Sequence, residues 1–251
     1  MSSDTAGMID HLHNLASVFA LVNQAGGYVH GHVQAAYDWY FGLFGRDYLV
    51  ADIAGGMIIT MTVFWVLGAL YTVLDLTHWP AALYQYKTQD KEVTFAEVLH
   101  TAKLALLNQL TVQLLTTVAY HFLLVWRGLD ESPRVPPVAT MLSHLLVYVL
   151  VQETSFYYLH RLLHRGRLYR YVHKVHHYWQ APIAISAIYC HPAEHLLANL
   201  VPVLLGPLVM GSHRCTISLW LMLVHFVTLN DHSGYHFPMM PSPEFHDYHH
   251  L

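Results

Sequence analysis

The sequence is short of charged residues, and this shortage points to the environment in which the protein folds. Only 11% of its 251 residues are charged and 55% are hydrophobic, whereas about 25% charged residues is usual for a soluble domain. The net charge of −4 gives no sign of a nucleic-acid partner or of strong binding to an anionic surface. The composition therefore predicts an integral membrane protein.

The sequence is also poor in cysteine and shows no pattern typical of a signal peptide. The two cysteines, Cys190 and Cys215, are too few for a disulfide framework or a thiolate metal site. The first residues lack a basic stretch followed by an apolar core and a small-residue cleavage site, so we expect no signal peptide. Membrane insertion is then expected to depend on internal spans.

Long uncharged runs supply candidates for these spans. Residues 53–74 match the roughly 20 apolar residues that a spanning helix needs, and a second run covers residues 104–126. A third span over residues 136–152 is predicted to form a hairpin with the second. Two shorter apolar arms, 196–212 and 215–230, predict a second and shallower membrane hairpin. The fold class predicted is an all-α integral membrane protein built from transmembrane helical hairpins.

Three regions follow from this pattern: an amino-terminal segment at 1–50, transmembrane helices at 51–159, and a histidine-rich region at 160–251 that contains the shallow hairpin at about 196–230. Basic residues near span ends favour the cytoplasmic side. They follow spans one and three, at Lys87, Lys91, Lys103, Arg161, Arg165, Arg167, Arg170 and Lys174. Because two spans separate these two groups of basic residues, both groups lie on the same side of the membrane. This predicts a cytosolic, helical, histidine-rich di-metal domain and a lumenal amino terminus.

Histidine is the abundant residue that sets this chain apart, with 22 copies, 14 of them between His160 and His250. Four clusters have i, i+3 or i+4 spacing, which places side chains on one face of a helix. Their ten members are His160, His164, His173, His176, His177, His232, His236, His246, His249 and His250. Ten imidazoles exceed the three or four protein ligands of one zinc ion, so two metal ions are predicted. Ligand type alone leaves iron, zinc and copper open, and a redox task would select iron.

Other residues near the clusters are candidates for supporting roles. His191 and His195 are interpreted as metal ligands, as outer-sphere groups or as the cap of a helix that opens with Pro192. Three acids are candidates for orienting a ligand histidine through its second ring nitrogen. They are Glu153, seven residues before His160, and Asp231 and Asp247, which lie beside or inside the last two clusters.

The clusters resemble those of the fatty acid hydroxylase and sterol desaturase superfamily of membrane di-iron enzymes. The resemblance covers residues 152–250 and rests on His-Arg-Leu-Leu-His at 160–164, Leu-Tyr-Arg-Tyr-Val-His-Lys-Val-His-His at 168–177, Gln-Ala-Pro at 180–182 and Asp-His-Ser-Gly-Tyr-His at 231–236. These segments look most like the C-4 methylsterol oxidases and the fatty acid hydroxylase domain-containing proteins.

The resemblance implies a non-haem di-iron monooxygenase of the endoplasmic reticulum membrane. Such an enzyme uses O2 and takes electrons from NAD(P)H through cytochrome b5 or its reductase chain, and the ten histidines carry its metals. No separate acid, base or nucleophile is expected. The C-4 methyl group of a sterol is the first substrate expected, and hydroxylation or desaturation of a fatty acyl or sphingolipid chain is the alternative. A non-catalytic protein with structural zinc is a reading of a different class.

One departure from the resemblance concerns the carboxyl end. Members of the superfamily continue past the last histidine cluster, whereas this sequence stops at Leu251. We therefore expect a chain that is truncated at its carboxyl terminus.

Overall fold

A computed structural model describes residues 26–251, which are helical in large part and contain no β-strand. We number the seven longest helical segments in chain order. They are α1 (26–43), α2 (Tyr48–Thr77), α3 (Phe95–Arg127), α4 (Val138–Leu163), α5 (Pro192–Met210), α6 (Arg214–Asp231) and α7 (Glu244–His250). The all-α prediction is confirmed for these residues. Residues 1–25, which include half of the predicted amino-terminal segment and the predicted lumenal terminus, lie outside them.

Local sequence signals fix where several of these helices begin and end. Thr94 opens α3 with a capping box, because its hydroxyl accepts from the backbone N–H of Glu97 while the Glu97 carboxylate accepts from the Thr94 N–H. Gly128 closes α3 in the left-handed region, at φ +78°, which a residue without Cβ adopts without strain. Pro192 opens α5, where its missing N–H is not needed.

Within residues 26–251, three helices are long and apolar enough to cross a membrane: α2, α3 and α5. The first two contain the predicted spans at 53–74 and 104–126. The predicted third span lies in α4, which is 26 residues long but is not among the three. Instead α5, which we predicted as one arm of a shallow hairpin, reaches the required length and apolarity. The chain is thus built as a membrane protein, with large apolar side chains such as Leu70, Leu115 and Leu146 directed outward.

Two helix pairs form the frame of the bundle. Helix α2 packs against α6, and α4 packs against α5. At the second contact Gly206 lies so close to Tyr148 that a Cβ on the glycine would stand 2.8 Å from the tyrosine Cα. Tyr148 is fully buried there. A small residue at position 206 is therefore what lets α4 and α5 approach each other.

The main apolar core lies below the histidine-rich region and joins it to the bundle. Trp179, Ile183 and Ile185 come from the segment between α4 and α5 and pack with Phe64 of α2 and Tyr235. Short 3₁₀ turns at His173–Tyr178 and Ala184–Ile188 flank this segment. The core thereby fixes the histidines that follow α4 relative to the membrane helices.

A buried ion pair ties the end of α2 to the segment after α6. The Lys87 ammonium lies 2.6 Å from a carboxylate oxygen of Asp75, and the Tyr235 hydroxyl donates to the same oxygen at 3.0 Å. Both charged side chains are almost fully buried. The Lys87 ammonium also donates to the Ser233 carbonyl at 3.2 Å, so this bond and the one from Tyr235 hold the turn after His232 against α2.

Candidate metal centre

Histidines from four separate elements meet at one end of the bundle. The end of α4, the turn at His173–Tyr178, the end of α6 and helix α7 each contribute. Their ring nitrogens form two groups of four, and the four nitrogens of each group all lie within 4.8 Å of one another. Group A contains His160, His164, His173 and His249, and group B contains His176, His232, His246 and His250. The structure thus brings together eight of the ten histidines that the sequence singled out.

In group A the Nε2 atoms converge on one point. The Nε2 of His249 lies 2.7 Å from that of His160 and 3.0 Å from that of His164. The Nε2 of His173 lies 2.9 Å from that of His164. Three of these residues come from α4 and the turn that follows it, and α7 closes the group from the far side.

Group B is more deeply buried than group A. The Nε2 of His246 lies 2.9 Å from that of His232 and 3.0 Å from that of His250. The His176 ring packs against the His250 ring with centroids 4.7 Å apart. His176, His232 and His250 are all buried. This group is therefore shielded from solvent.

His177 lies between the two groups. Its Nε2 is 3.1 Å from the Nε2 of His173 in group A, and its ring centroid is 4.7 Å from that of His250 in group B. The two groups are consequently adjacent. A ninth predicted histidine is thus placed at the centre, next to group A.

Hydrogen bonds of the Nδ1 atoms determine whether the converging Nε2 atoms carry a proton or a free lone pair. The Nδ1 of His232 lies 2.8 Å from the Thr228 carbonyl, and the Nδ1 of His176 lies 3.4 Å from the Tyr189 carbonyl. Since a carbonyl can only accept, each Nδ1 carries the proton and each Nε2 carries a lone pair. Lone pairs directed at one point repel each other unless a cation lies between them.

Burial keeps these imidazoles neutral, which is the form that binds a metal. Burial, reinforced by the neighbouring His249, lowers the pKa of His160 to about 3. Burial and the neighbouring His246 lower the pKa of His250 to about 2. The pKa values of His176 and His232 are lowered well below their usual range for the same two reasons.

The donor set fits two metal ions. Two nitrogens that bind one ion at about 2.0–2.1 Å, with angles between octahedral and tetrahedral, are roughly 2.9–3.4 Å apart. Most of the Nε2 separations in both groups fall in or close to this range. Imidazole suits iron, zinc and copper, so the geometry supports a pair of transition metals without choosing among them.

A buried acid that we did not single out as a supporting group orients one ligand. Glu194 Oε1 lies 2.7 Å from the Nδ1 of His173, and both side chains are at most 3% exposed. A carboxylate in this position fixes the ring orientation and directs the Nε2 lone pair toward the metal. The available signal was the position of Glu194 between His191 and His195, but no spacing rule connects it to His173.

His236 lies apart from the centre, although it was predicted as a ligand. Its side chain is exposed and belongs to neither group. Helix α6 ends at Asp231, and Gly234 turns the backbone at φ +69°. The i, i+4 rule that paired His236 with His232 applies only within a continuous helix. Its role as a ligand stays a prediction that this geometry does not support.

His191 and His195 take two different positions. The Nδ1 of His191 accepts from the Ala193 N–H and caps α5, which is one of the three roles considered for it. His195 is buried, and its Nε2 has no hydrogen-bond partner within residues 26–251. Neither residue belongs to group A or group B.

The three acids proposed to orient ligands make no hydrogen bond to a histidine in the described part of the chain. Asp247 accepts from Gln89 at 2.8 Å and so anchors α7 to the loop after α2. Asp231 and Glu153 are close enough for their charges to interact, and burial together with Glu153 raises the pKa of Asp231. Their predicted role at the metals is therefore without geometric support here.

A cavity of about 650 Å³ leads from the bundle to both histidine groups. Its inner end is lined by His160, His176, His232 and His246. Along its length it is lined by apolar side chains such as Phe64, Trp220 and Val224. A smaller cleft of about 330 Å³ reaches His164, His177 and His249 from the other side. The centre thus stands between an apolar chamber and a polar opening.

Comparison with known proteins places these features in a family. A family model described as fatty acid hydroxylase matches residues 145–251. The chain is 38% identical over 212 residues to human fatty acid hydroxylase domain-containing protein 2, and the match covers 82% of this chain and 63% of that protein. No solved structure matches the chain.

Two plant relatives are matched over more of their length. The chain is 32% identical to methylsterol monooxygenase 2-1 of Arabidopsis thaliana, over 81% of this chain and 80% of that protein. It is 34% identical to very-long-chain aldehyde decarbonylase GL1-11 of Oryza sativa subsp. japonica, over 71% and 73%. By contrast, the chain spans less than two thirds of the human relative. On these matches, the chain belongs to the fatty acid hydroxylase family, within the fatty acid hydroxylase and sterol desaturase superfamily.

Proposed function

We propose that this chain is a membrane-bound, non-haem di-iron monooxygenase that hydroxylates a lipid. The observation that carries the proposal is the position of the two histidine groups, which line the inner end of an apolar cavity inside a membrane bundle. A metal pair beside an apolar chamber suits oxidation of an unactivated carbon, since the apolar wall would hold a hydrocarbon against the metals and exclude water.

Iron is the metal we propose for groups A and B. When bound there, two iron ions would supply the activation of O2 and the oxidation of a C–H bond. Iron, O2 and electrons from NAD(P)H through cytochrome b5 form the proposed cofactor set. The basic residues that follow α4, including Arg165, Arg167 and Arg170, support an acidic electron donor on the side of the polar cleft.

The chain itself has three tasks in this reaction. Nine histidines, with Glu194 behind His173, hold and orient the ligand nitrogens. The apolar wall excludes water, and so protects a reactive centre from side reactions. The cavity also holds one carbon of the lipid against the centre, which converts a slow encounter into a positioned one.

A sterol oxidised at its C-4 methyl group is the first substrate that we propose. The match to the Arabidopsis methylsterol monooxygenase, over 80% of that protein's length, supports this choice. Oxidation of an acyl or sphingolipid chain is the second candidate. One specific observation favours it, namely the polar cluster of Asp52, His121 and Arg214 that also lines the cavity.

The proposed location is the endoplasmic reticulum membrane, with the histidine centre on the cytosolic side. The basic residues after α2 and α4 support this orientation, because positive charge favours the cytoplasmic face. Groups A and B lie together at one end of the bundle, so one orientation in the membrane puts every ligand histidine on the same side.

The decisive experiment is an oxygenation assay on the full chain, reconstituted in lipid nanodiscs with ferrous iron and a reductant. A 4-methylsterol and a ceramide would be offered separately under ¹⁸O2. We expect one labelled hydroxyl per product by mass spectrometry, and none with His232→Ala. Two tightly held zinc ions with no label from any lipid, under conditions in which an active relative works, would favour the structural-zinc reading instead.

A further inference from the structure

A second polar site lies at the end of the cavity opposite the histidines. Arg214 opens α6 and donates to both carboxylate oxygens of Asp52, at 2.7 and 3.1 Å. The Nδ1 of His121 lies 2.8 Å from the same carboxylate. These three side chains come from α2, α3 and α6 and all line the cavity. We call them the distal cluster.

The distal cluster is far from the metal centre. Arg214 and His232 stand 18 positions apart along α6 and its cap, which is a rise of about 27 Å at 1.5 Å per residue. That distance approaches the roughly 30 Å thickness of a bilayer's hydrocarbon core. The cavity is lined at one end by Asp52, His121 and Arg214 and at the other by His176 and His232. One extended lipid can therefore touch both.

Arg214 retains an unused donor in this position. Its side chain is 7% exposed, and its Nη1 has no hydrogen-bond partner within residues 26–251. An unpaired buried donor of a charged group is costly, because water has been removed and nothing has replaced it. Since Arg214 lines the cavity, a ligand in the cavity is well placed to supply the missing acceptor.

Charge balance restricts what that acceptor is. The positive charge of Arg214 is already matched by the bidentate Asp52 carboxylate, and Glu131 approaches the same guanidinium at 3.7 Å. A phosphate or carboxylate would meet these acids at close range. A neutral oxygen, such as a hydroxyl or a carbonyl, accepts from Nη1 without that repulsion.

We infer that the distal cluster anchors a neutral oxygen at the end of a lipid remote from the carbon that is oxidised. The inference rests on the proposed lipid oxidation and adds a specificity determinant to it. It favours a chain lipid over a 4-methylsterol, whose hydroxyl stands next to the C-4 position. Such a sterol, oxidised at C-4, would place its hydroxyl at the histidines and leave Arg214 facing hydrocarbon.

Equilibrium binding to the metal-free full chain in detergent tests the inference without depending on oxidation. The probes are tritium-labelled hexadecan-1-ol, hexadecane and hexadecanoate. The wild-type chain should bind the alcohol about tenfold more tightly than the alkane, as one hydrogen bond to a charged donor implies. The carboxylate should bind no better than the alcohol.

The informative variant is Arg214→Lys, which keeps the ion pair with Asp52 but loses the forked guanidinium and its spare donor. The preference for the alcohol should fall to less than about twofold. Arg127→Lys is the matched control, since Arg127 is an exposed arginine that donates to the Val209 carbonyl outside the cavity. This control should keep the wild-type preference.

Folding of the variant is checked by its thermal unfolding midpoint. If Arg214→Lys does not fold, the double variant Asp52→Asn with Arg214→Met removes both charges together and leaves no buried charge unpaired. Retention of the alcohol preference in either folded variant would overturn the inference. So would a wild-type chain that binds alcohol and alkane equally, or one that binds the carboxylate about tenfold more tightly than the alcohol. A failed oxygenation assay would leave these binding results unchanged, so the two failures are distinguishable.

Discussion

Glu194 accepts a hydrogen bond from His173, a member of group A, at 2.7 Å, and both side chains are buried. The carboxylate comes from the first turn of α5, a helix long and apolar enough to cross the membrane. The imidazole comes from the turn after α4. This one contact therefore couples a membrane helix to the metal centre.

Glu194→Gln should weaken metal binding at group A by about 10–100-fold, the usual cost of losing an orienting carboxylate. Competition with a chelator of known affinity measures the change. Glu153→Gln is the control, because Glu153 is exposed and makes no hydrogen bond to a histidine within residues 26–251. Equal losses of metal affinity in the two variants would show that the effect comes from removing a nearby negative charge and not from the contact with His173.

The structure separates two histidines that the sequence paired. His232→Ala should remove one metal, because His232 is buried and its Nε2 lies 2.9 Å from that of His246. His236→Ala should retain both metals and all oxygenase activity, since its side chain is exposed outside both groups. Elemental analysis and the ¹⁸O2 assay measure the two effects. A loss of metal in His236→Ala would restore its place among the ligands.

Metal content should fall in steps when the groups are dismantled separately. The full chain should carry about two ions, given the eight clustered ligands. His249→Ala should leave about one ion in group B, and His246→Ala about one in group A. Anaerobic purification followed by elemental analysis gives the count. If either single variant lost both ions, the two groups would be one cooperative site.

Gly206→Ala should destabilise the bundle. The added Cβ would stand 2.8 Å from the Tyr148 Cα, so α4 and α5 must move apart, at a cost of about 1–3 kcal/mol. Gly42→Ala is the control, because its Cβ would meet nothing within 4 Å and alanine favours a helix by about 0.5–1 kcal/mol. Unfolding midpoints in detergent should therefore move in opposite directions. A Gly206→Ala midpoint equal to wild type would mean that the helix contact is looser than described.

Membrane orientation is tested with engineered glycosylation acceptors. An acceptor beside Arg167 should stay unmodified, because the basic residues after α4 favour the cytoplasmic side. An acceptor in the loop between α3 and α4, at the other end of both helices, should be modified. Microsomal translation with and without glycosidase provides the readout. The reverse pattern would place the histidine centre in the lumen.

By itself the sequence determined the helical class, two of the three candidate spans and the histidines that converge at the candidate metal centre. Hydropathy fixes a span because lipid leaves no partner for an unpaired backbone group, and so a long apolar run must be helical. Histidine spacing fixes which imidazoles share a local turn. The ten-residue ligand prediction accordingly included all nine histidines that meet at the centre.

Only the tertiary structure decided how those histidines divide. His173 and His176 lie in one turn but join different groups, and His249 and His250 do the same in α7. Spacing states which side chains are neighbours on one element, whereas the grouping depends on which elements face each other. The turn at Gly234 places His236 outside both groups, and Glu194 contacts His173 from a separate helix. The distal cluster could not be predicted either, because Asp52, His121 and Arg214 meet only when α2, α3 and α6 pack together.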